Sequence, residues 1–262
     1  TLALSTEDVG SRSVAVGYGA LSVQNVDGNV YNTAVGHAAG GAVTSGVQNT
    51  IVGGLAGDAL TTGSNNVAMG FEALSTEDTG SRNIAIGYQA LKVANYDGNA
   101  YNIAVGYQAG NAVTTGQLNT LMGGLAGANL TTGHSNVAIG MQALENEDEH
   151  GFNVAVGVEA LQTLNAGANA YNVAVGNSAG KLMTTGIYNT LVGALAGDAL
   201  TIGNQNTAVG MLALSASVDG DSNTAVGFSA LRDYEDGDGN GNNTAVGSNS
   251  QVAATTGEFN TS

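Results

Sequence analysis

The sequence predicts an all-β fold, a parallel β-solenoid or β-roll of about fifteen coils, each about 17 residues long. Three observations lead there. A five-residue motif recurs from one end of the chain to the other. The 262 residues include 41 glycines but no proline, cysteine or tryptophan. Within the motif, large apolar residues stand two apart, as in Val137-Ala138-Ile139, which is the period of a strand.

The motif reads Asn, then Thr/Val/Ile, Ala, Val/Ile/Met, Gly. It begins at Ser13, Asn32, Asn49, Asn66, Asn83, Asn102, Asn119, Asn136, Asn153, Asn172, Asn189, Asn206, Asn223, Asn243 and Asn260. Copies lie about 17 residues apart, with 19 or 20 once in every four. A longer period of 70 residues lies on top, seen at Ser13, Asn83, Asn153 and Asn223. The chain therefore reads as one repetitive shaft over 1–262, in four-coil blocks at 13–82, 83–152, 153–222 and, in part, 223–262. It begins inside one coil and stops at the first residues of another, as a piece of a longer fibre would.

A 17-residue period is too short for a helical hairpin repeat, which takes ~33 residues or more. Each coil is expected to hold two short strands and two turns: the motif strand, the turn opened by its glycine, an apolar segment such as Ala143-Leu144, and a polar return such as Thr61-Thr62-Gly63. Coils stack about 4.8 Å apart through parallel ladders, so each residue lies on its own equivalent. The fourth motif position (Val16, Val35, Val52, Met69, Ile86) is bulky and is expected to point into the coil. The third, usually Ala (Ala34, Ala68, Ala104), is then expected outside, where a row of Ala suits contact with another chain. Ile51, Leu121 and Leu191 are the large exceptions in that row. Two coils of a block carry Leu eight residues after the motif start (Leu21, Leu74, Leu91, Leu144). The other two carry Gly there and a large apolar residue three further on (Val43, Leu60, Val113, Leu130), which reads as one core slot filled from two backbone positions. So narrow a coil buries little apolar volume alone, and association with further copies is expected.

Composition excludes several classes. Without cysteine there is neither a disulfide scaffold nor a thiolate metal site. Five Lys and Arg against 21 Asp and Glu, a net charge of -16, leave no basic track for nucleic acid. No apolar run approaches the ~18 residues of a membrane span.

NVAIGMQAL (Asn136 to Leu144) and NIAIGYQAL (Asn83 to Leu91) resemble the head repeats of trimeric autotransporter adhesins. They resemble still more closely the NTAVGYQAL-type arrays of phage tail fibres and related bacterial fibre proteins. The resemblance covers essentially the whole chain. It implies a homotrimeric fibre, extracellular, on a virion tail or a bacterial surface, and supporting host attachment. It also implies a partner, a host-surface glycan or receptor, met through a tip outside this segment. No coiled-coil stalk, membrane anchor or chaperone domain is present in these residues, and adhesin head coils are usually shorter.

The most regular polar feature is the column Asn32, Asn49, Asn66, Asn83, Asn102, Asn119, Asn136, Asn153, Asn172, Asn189, Asn206, Asn223 and Asn243, read as a stacked structural ladder. Asp236, Asp238 and Asn240 match the opening positions of a calcium loop, but Gly247 stands where the bidentate Glu belongs, so only weak Ca2+ binding is considered there. Asp219, Asp221 and the Glu145–Glu149 run read as solvated turns. His37, His134 and His150 occupy different repeat positions and are not expected to converge on a metal or act as a base. No cofactor and no catalytic residue is expected, and the chain reads as a non-enzymatic fibre shaft. The alternative is a ligand-binding solenoid, for ice through Thr61-Thr62, Thr114-Thr115, Thr131-Thr132 and Thr184-Thr185, or for glycans through the recurrent Tyr and Phe.

Overall fold

The computed structural model describes residues 3–7, 10–234, 241–252 and 259–262. Among them there is no helix, and the chain is a parallel β-solenoid. It divides into two compact units, Thr1–Gly133 and His134–Ser262.

The first unit holds β1 (Gly10–Ser11), β2 (Val14–Val16), β3 (Gly28–Asn29), β4 (Thr33–Val35), β5 (Thr50–Val52), β6 (Val67–Met69), β7 (Ile84–Ile86), β8 (Ile103–Val105) and β9 (Thr120–Met122). The short β1 and β3 pair with each other. The others form one parallel ladder in sequence order, β2 to β9, with Val14 against Thr33, Ala15 against Ala34 and Val16 against Val35. The second unit repeats the plan with β10 (Val137–Ile139), β11 (Val154–Val156), β12 (Val173–Val175), β13 (Thr190–Val192), β14 (Thr207–Val209), β15 (Thr224–Val226) and β16 (Thr244–Val246). Every strand from β4 to β16 thus holds positions two to four of one motif copy. Equivalents pair without slippage, because a one-residue shift would exchange the inside and outside faces.

Apart from the short β1–β3 pair, each described coil has one strand, not two. The second apolar segment is a chain of turns. Gln89 (φ 53°) and Leu91 (φ 48°) are both left-handed, and so are their equivalents in other coils. That conformation is incompatible with a strand. The segment is nevertheless laddered: Leu74 N–H donates to Ala90 O at 3.0 Å, and Leu91 N–H to Ala109 O at 3.1 Å. The residue before each motif Asn is left-handed too, as at Arg82 (φ 64°) and Tyr101 (φ 55°). Recurrent left-handed bends fold the coil tightly without proline.

The orientation of the motif strand is opposite to the sequence expectation. The third position is inside: Ala34, Ile51, Ala68, Ala85 and Ala104 are fully buried. The fourth position faces out, and Val16, Val35 and Met69 are exposed. The Asn sets this parity. Its amide must turn inward to reach backbone partners, and in a strand the residue two further on shares its face. Little space remains behind the strand because Leu from the opposite side already fills it. In one of the two coils per block where that Leu is Gly, the third position enlarges: a Cβ on Gly57 would meet Leu60 and Ile51, and one on Gly127 would meet Leu121. Ile51, Leu121 and Leu191 are therefore core residues rather than outer contacts. The two-position core slot holds as read, since Leu21, Leu74, Val43 and Leu60 are all fully buried.

The glycine that ends each motif is held at φ between 125° and 145°. Each such glycine from Gly17 to Gly106, and from Gly140 to Gly227, lies directly under the peptide of the next one. A Cβ on Gly157, for example, would be driven into the carbonyl of Gly176.

Candidate functional site

The motif asparagines form the most extensive polar array. Asn66 shows the pattern. Its Oδ1 accepts from the backbone N–H of Asn83 at 2.9 Å, and its Nδ2 donates to Gly80 O at 2.9 Å. Asn49 bonds in the same way to Asn66 and Gly63, and Asn189 to Asn206 and Gly203. The rows are thus linked chiefly from side chain to backbone, with amide-to-amide contacts only in places, such as Asn119 Nδ2 to Asn102 Oδ1 at 3.2 Å. From Asn32 to Asn243 these side chains are buried, and in most of them both ends of the amide are used internally, which leaves no ligand-binding edge. The pattern weakens at the 19- and 20-residue spacers. Asn99 and Asn169 there replace the glycine whose carbonyl serves the amide. Asn83 and Asn223 each have an Nδ2 with no hydrogen-bond partner.

A second polar column was hidden among the turn carboxylates. Glu77 and Glu147 are fully buried, so the expectation that the Glu145–Glu149 run is wholly solvated is corrected at Glu147. They stand six residues before Asn83 and Asn153, at the place held by Leu60 six before Asn66 and Leu130 six before Asn136. The core slot accepts a carboxylate because backbone donors face it: Gly80 N–H reaches Glu77 Oε1 at 2.8 Å and Tyr96 N–H reaches Oε2 at 3.4 Å. In the first block Glu7 takes this place and binds Gln24 Nε2 at 2.6 Å. The signal in the sequence was positional: an acidic residue at an apolar column.

Burial pushes the Glu77 carboxyl above the ordinary glutamate range, against the lowering effect of its backbone hydrogen bonds. The same cause raises Glu147. A group whose folded pKa exceeds its unfolded value of about 4.3 contributes stability that is complete below that value. The contribution is lost as pH rises through the folded pKa. Glu77→Gln is therefore expected to gain stability relative to the parent chain as pH rises from about 4 to about 8. Urea unfolding across that range measures the difference, and a difference independent of pH would count against it.

The aromatic residues stack in register with the coils. Phe71, Tyr88 and Tyr107 form one run, with centroids 5.8 and 5.3 Å apart. Phe152, Tyr171 and Tyr188 form another, at 4.9 and 5.8 Å. Arg12 and Arg82 hydrogen-bond to the hydroxyls of Tyr31 and Tyr101. Within a run the ring faces are turned toward each other, so the edges, not the faces, meet solvent. A sugar stacks on an aromatic face, and that surface is largely occupied here. The threonine pairs divide their roles. Thr61, Thr114 and Thr184 hydroxyls donate to carbonyls of the next coil, while Thr62, Thr115, Thr132 and Thr185 are exposed.

An open groove of about 480 Å³ lies at a spacer, lined by Asp78, Asn95, Tyr96, Asp97 and Thr115. It offers acceptors and one phenol but no nucleophile paired with a base. The calcium candidates Asp236, Asp238 and Asn240 lie outside the described residues. His37 stacks on Tyr18, away from acidic residues in sequence, whereas His150 lies beside Glu147 and Asp148. The chain matches no protein-family model and no curated protein.

Proposed function

We propose that this chain is the shaft of a structural fibre, a phage tail fibre or bacterial surface adhesin, in which copies pack side by side, span distance and support attachment. The supporting observation is the outward face of the motif strands. Position two is Val, Ile or Thr and position four Val, Ile or Met in every described strand from β4 to β16, with no charge among them. Val35, Met69, Met122, Ile139 and Val175 are exposed in a single copy. Within each unit, an uncharged strip of this kind, exposed or half-exposed, marks an interaction face. Its repeat is the coil spacing, and a second copy presents the same repeat in register. The corrected strand orientation moves the proposed contact from the Ala row to this Val/Ile/Met row. Three copies is the number implied by resemblance to trimeric fibres.

The role is mechanical, since neighbouring coils share load through many equivalent ladders and stability sums along the array. Light scattering of the purified chain is expected to give a mass near three chains, and negative-stain microscopy elongated particles. Replacing Ile86, Val105 and Met122 together with Asp is expected to dissociate the assembly. A monomer in both cases would overturn the reading, and thermal hysteresis or glycan-array binding would favour the ligand-binding alternative.

A further inference from the structure

We propose that the turn carrying Glu147, Asp148 and His150 is a site for a divalent first-row metal ion, with Zn2+ the best match. One ligand atom from each residue lies within 4.8 Å of the other two. An imidazole nitrogen with two carboxylates suits Zn2+ and its neighbours, whereas Ca2+ calls for six to eight oxygens. Three protein ligands leave room for water, as in open zinc sites.

The His150–Glu147 pair carries the geometry. His150 Nδ1 lies 3.5 Å from Glu147 Oε1. That is too long for a good hydrogen bond. It is close to the separation of two ligands on one tetrahedral ion, roughly 3.4 Å when each is about 2.1 Å from the metal. The Nδ1 atom is itself buried and has no hydrogen-bond partner, although part of the ring reaches solvent. Leaving such an atom unpaired is costly, and a metal ion would satisfy it.

The chain's own repeats sharpen the point. The residue three before the motif start is Gly10, Gly80 and Gly220 in the equivalent coils of the other blocks, and His150 only here. Glycine suits the place sterically: a Cβ on Gly80 would be driven into the Glu77 carboxylate. The histidine also loosens the turn, since His150 N–H reaches Glu147 Oε1 at 3.3 Å where Gly80 N–H reaches Glu77 at 2.8 Å. A second imidazole packs against Gly151. His134 Nδ1 is also buried without a partner and would lie 2.6 Å from a Cβ on Gly151, the neighbour of His150.

The test uses the full chain after chelator treatment, titrated with Zn2+ by calorimetry and with Co2+ followed by visible absorption. The expected result is one saturable ion per chain, with at least tenfold weaker binding in His150→Gly and no change in His37→Asn. Because His150→Gly restores the residue of Gly10 and Gly80, it is expected to fold, and far-ultraviolet circular dichroism checks that it does. Absence of saturable binding to the parent chain would overturn the proposal. So would equal binding by His150→Gly, which would assign the ion to the acidic surface at large. Neither outcome bears on the mass measurement that tests the fibre reading.

Discussion

Gly157→Ala is expected to destabilise its unit by about 2–5 kcal/mol, from overpacking plus left-handed strain in a non-glycine residue. The glycine is at φ 142°, and the added methyl would be driven into the carbonyl of Gly176 in the next coil. The coil cannot relax by tilting, since Gly157 N–H also donates to Ile139 O at 2.7 Å. Gly167→Ala is the control. That glycine is also left-handed, at φ 67°, but a Cβ there meets nothing within 4 Å. Its expected cost is the backbone term alone, about 1 kcal/mol. Urea unfolding of both variants separates steric from conformational cost, and similar values for the two would refute the stacked-peptide account.

The second large effect is at the asparagine column. Asn66→Ala removes two buried hydrogen bonds and leaves Asn83 N–H and Gly80 O without those partners. At about 1–3 kcal/mol for each orphaned group, the loss is about 2–6 kcal/mol. Asn83→Ala is expected to cost distinctly less. The Asn83 Nδ2 has no partner to lose, and its Oδ1 accepts from Asn102 N–H at a longer 3.2 Å. Thermal and urea unfolding of the two variants provide the comparison. Equal losses would mean that the column acts through packing and not through its hydrogen bonds. The order also has a structural meaning: the weak steps fall where the 19-residue spacers interrupt the period.

Much of this was legible in the residues. Strict recurrence of Asn, Ala and Gly at one spacing is sufficient for a stacked parallel coil, because only then does each residue meet its own copy. The shared core slot could be read as well, since Leu74 and Leu60 take two alternative backbone positions in neighbouring coils. The inside of the motif strand could not be read from size. Val and Met in the fourth position looked like core, and Ala in the third looked like surface. The deciding residue was polar. Asn66 turns inward because the carbonyl of Gly80 and the N–H of Asn83 lie there, and strand alternation carries Ala68 in with it and Met69 out. Glu77 followed the same logic: its charge argued for solvent, but Gly80 and Tyr96 N–H groups wait for it in the core.

The sequence by itself determined the period, the parallel stacking and the identity of the residues in each column, since these follow from repetition and from local backbone preference. Only the tertiary structure decided which face of each column is buried, that the second apolar segment is a run of left-handed turns, and that His150 meets Glu147 and Asp148. Those outcomes depend on where backbone donors and acceptors of neighbouring coils come to lie. A buried polar group goes to its partner, and the partner's position is a property of the stack rather than of any one repeat.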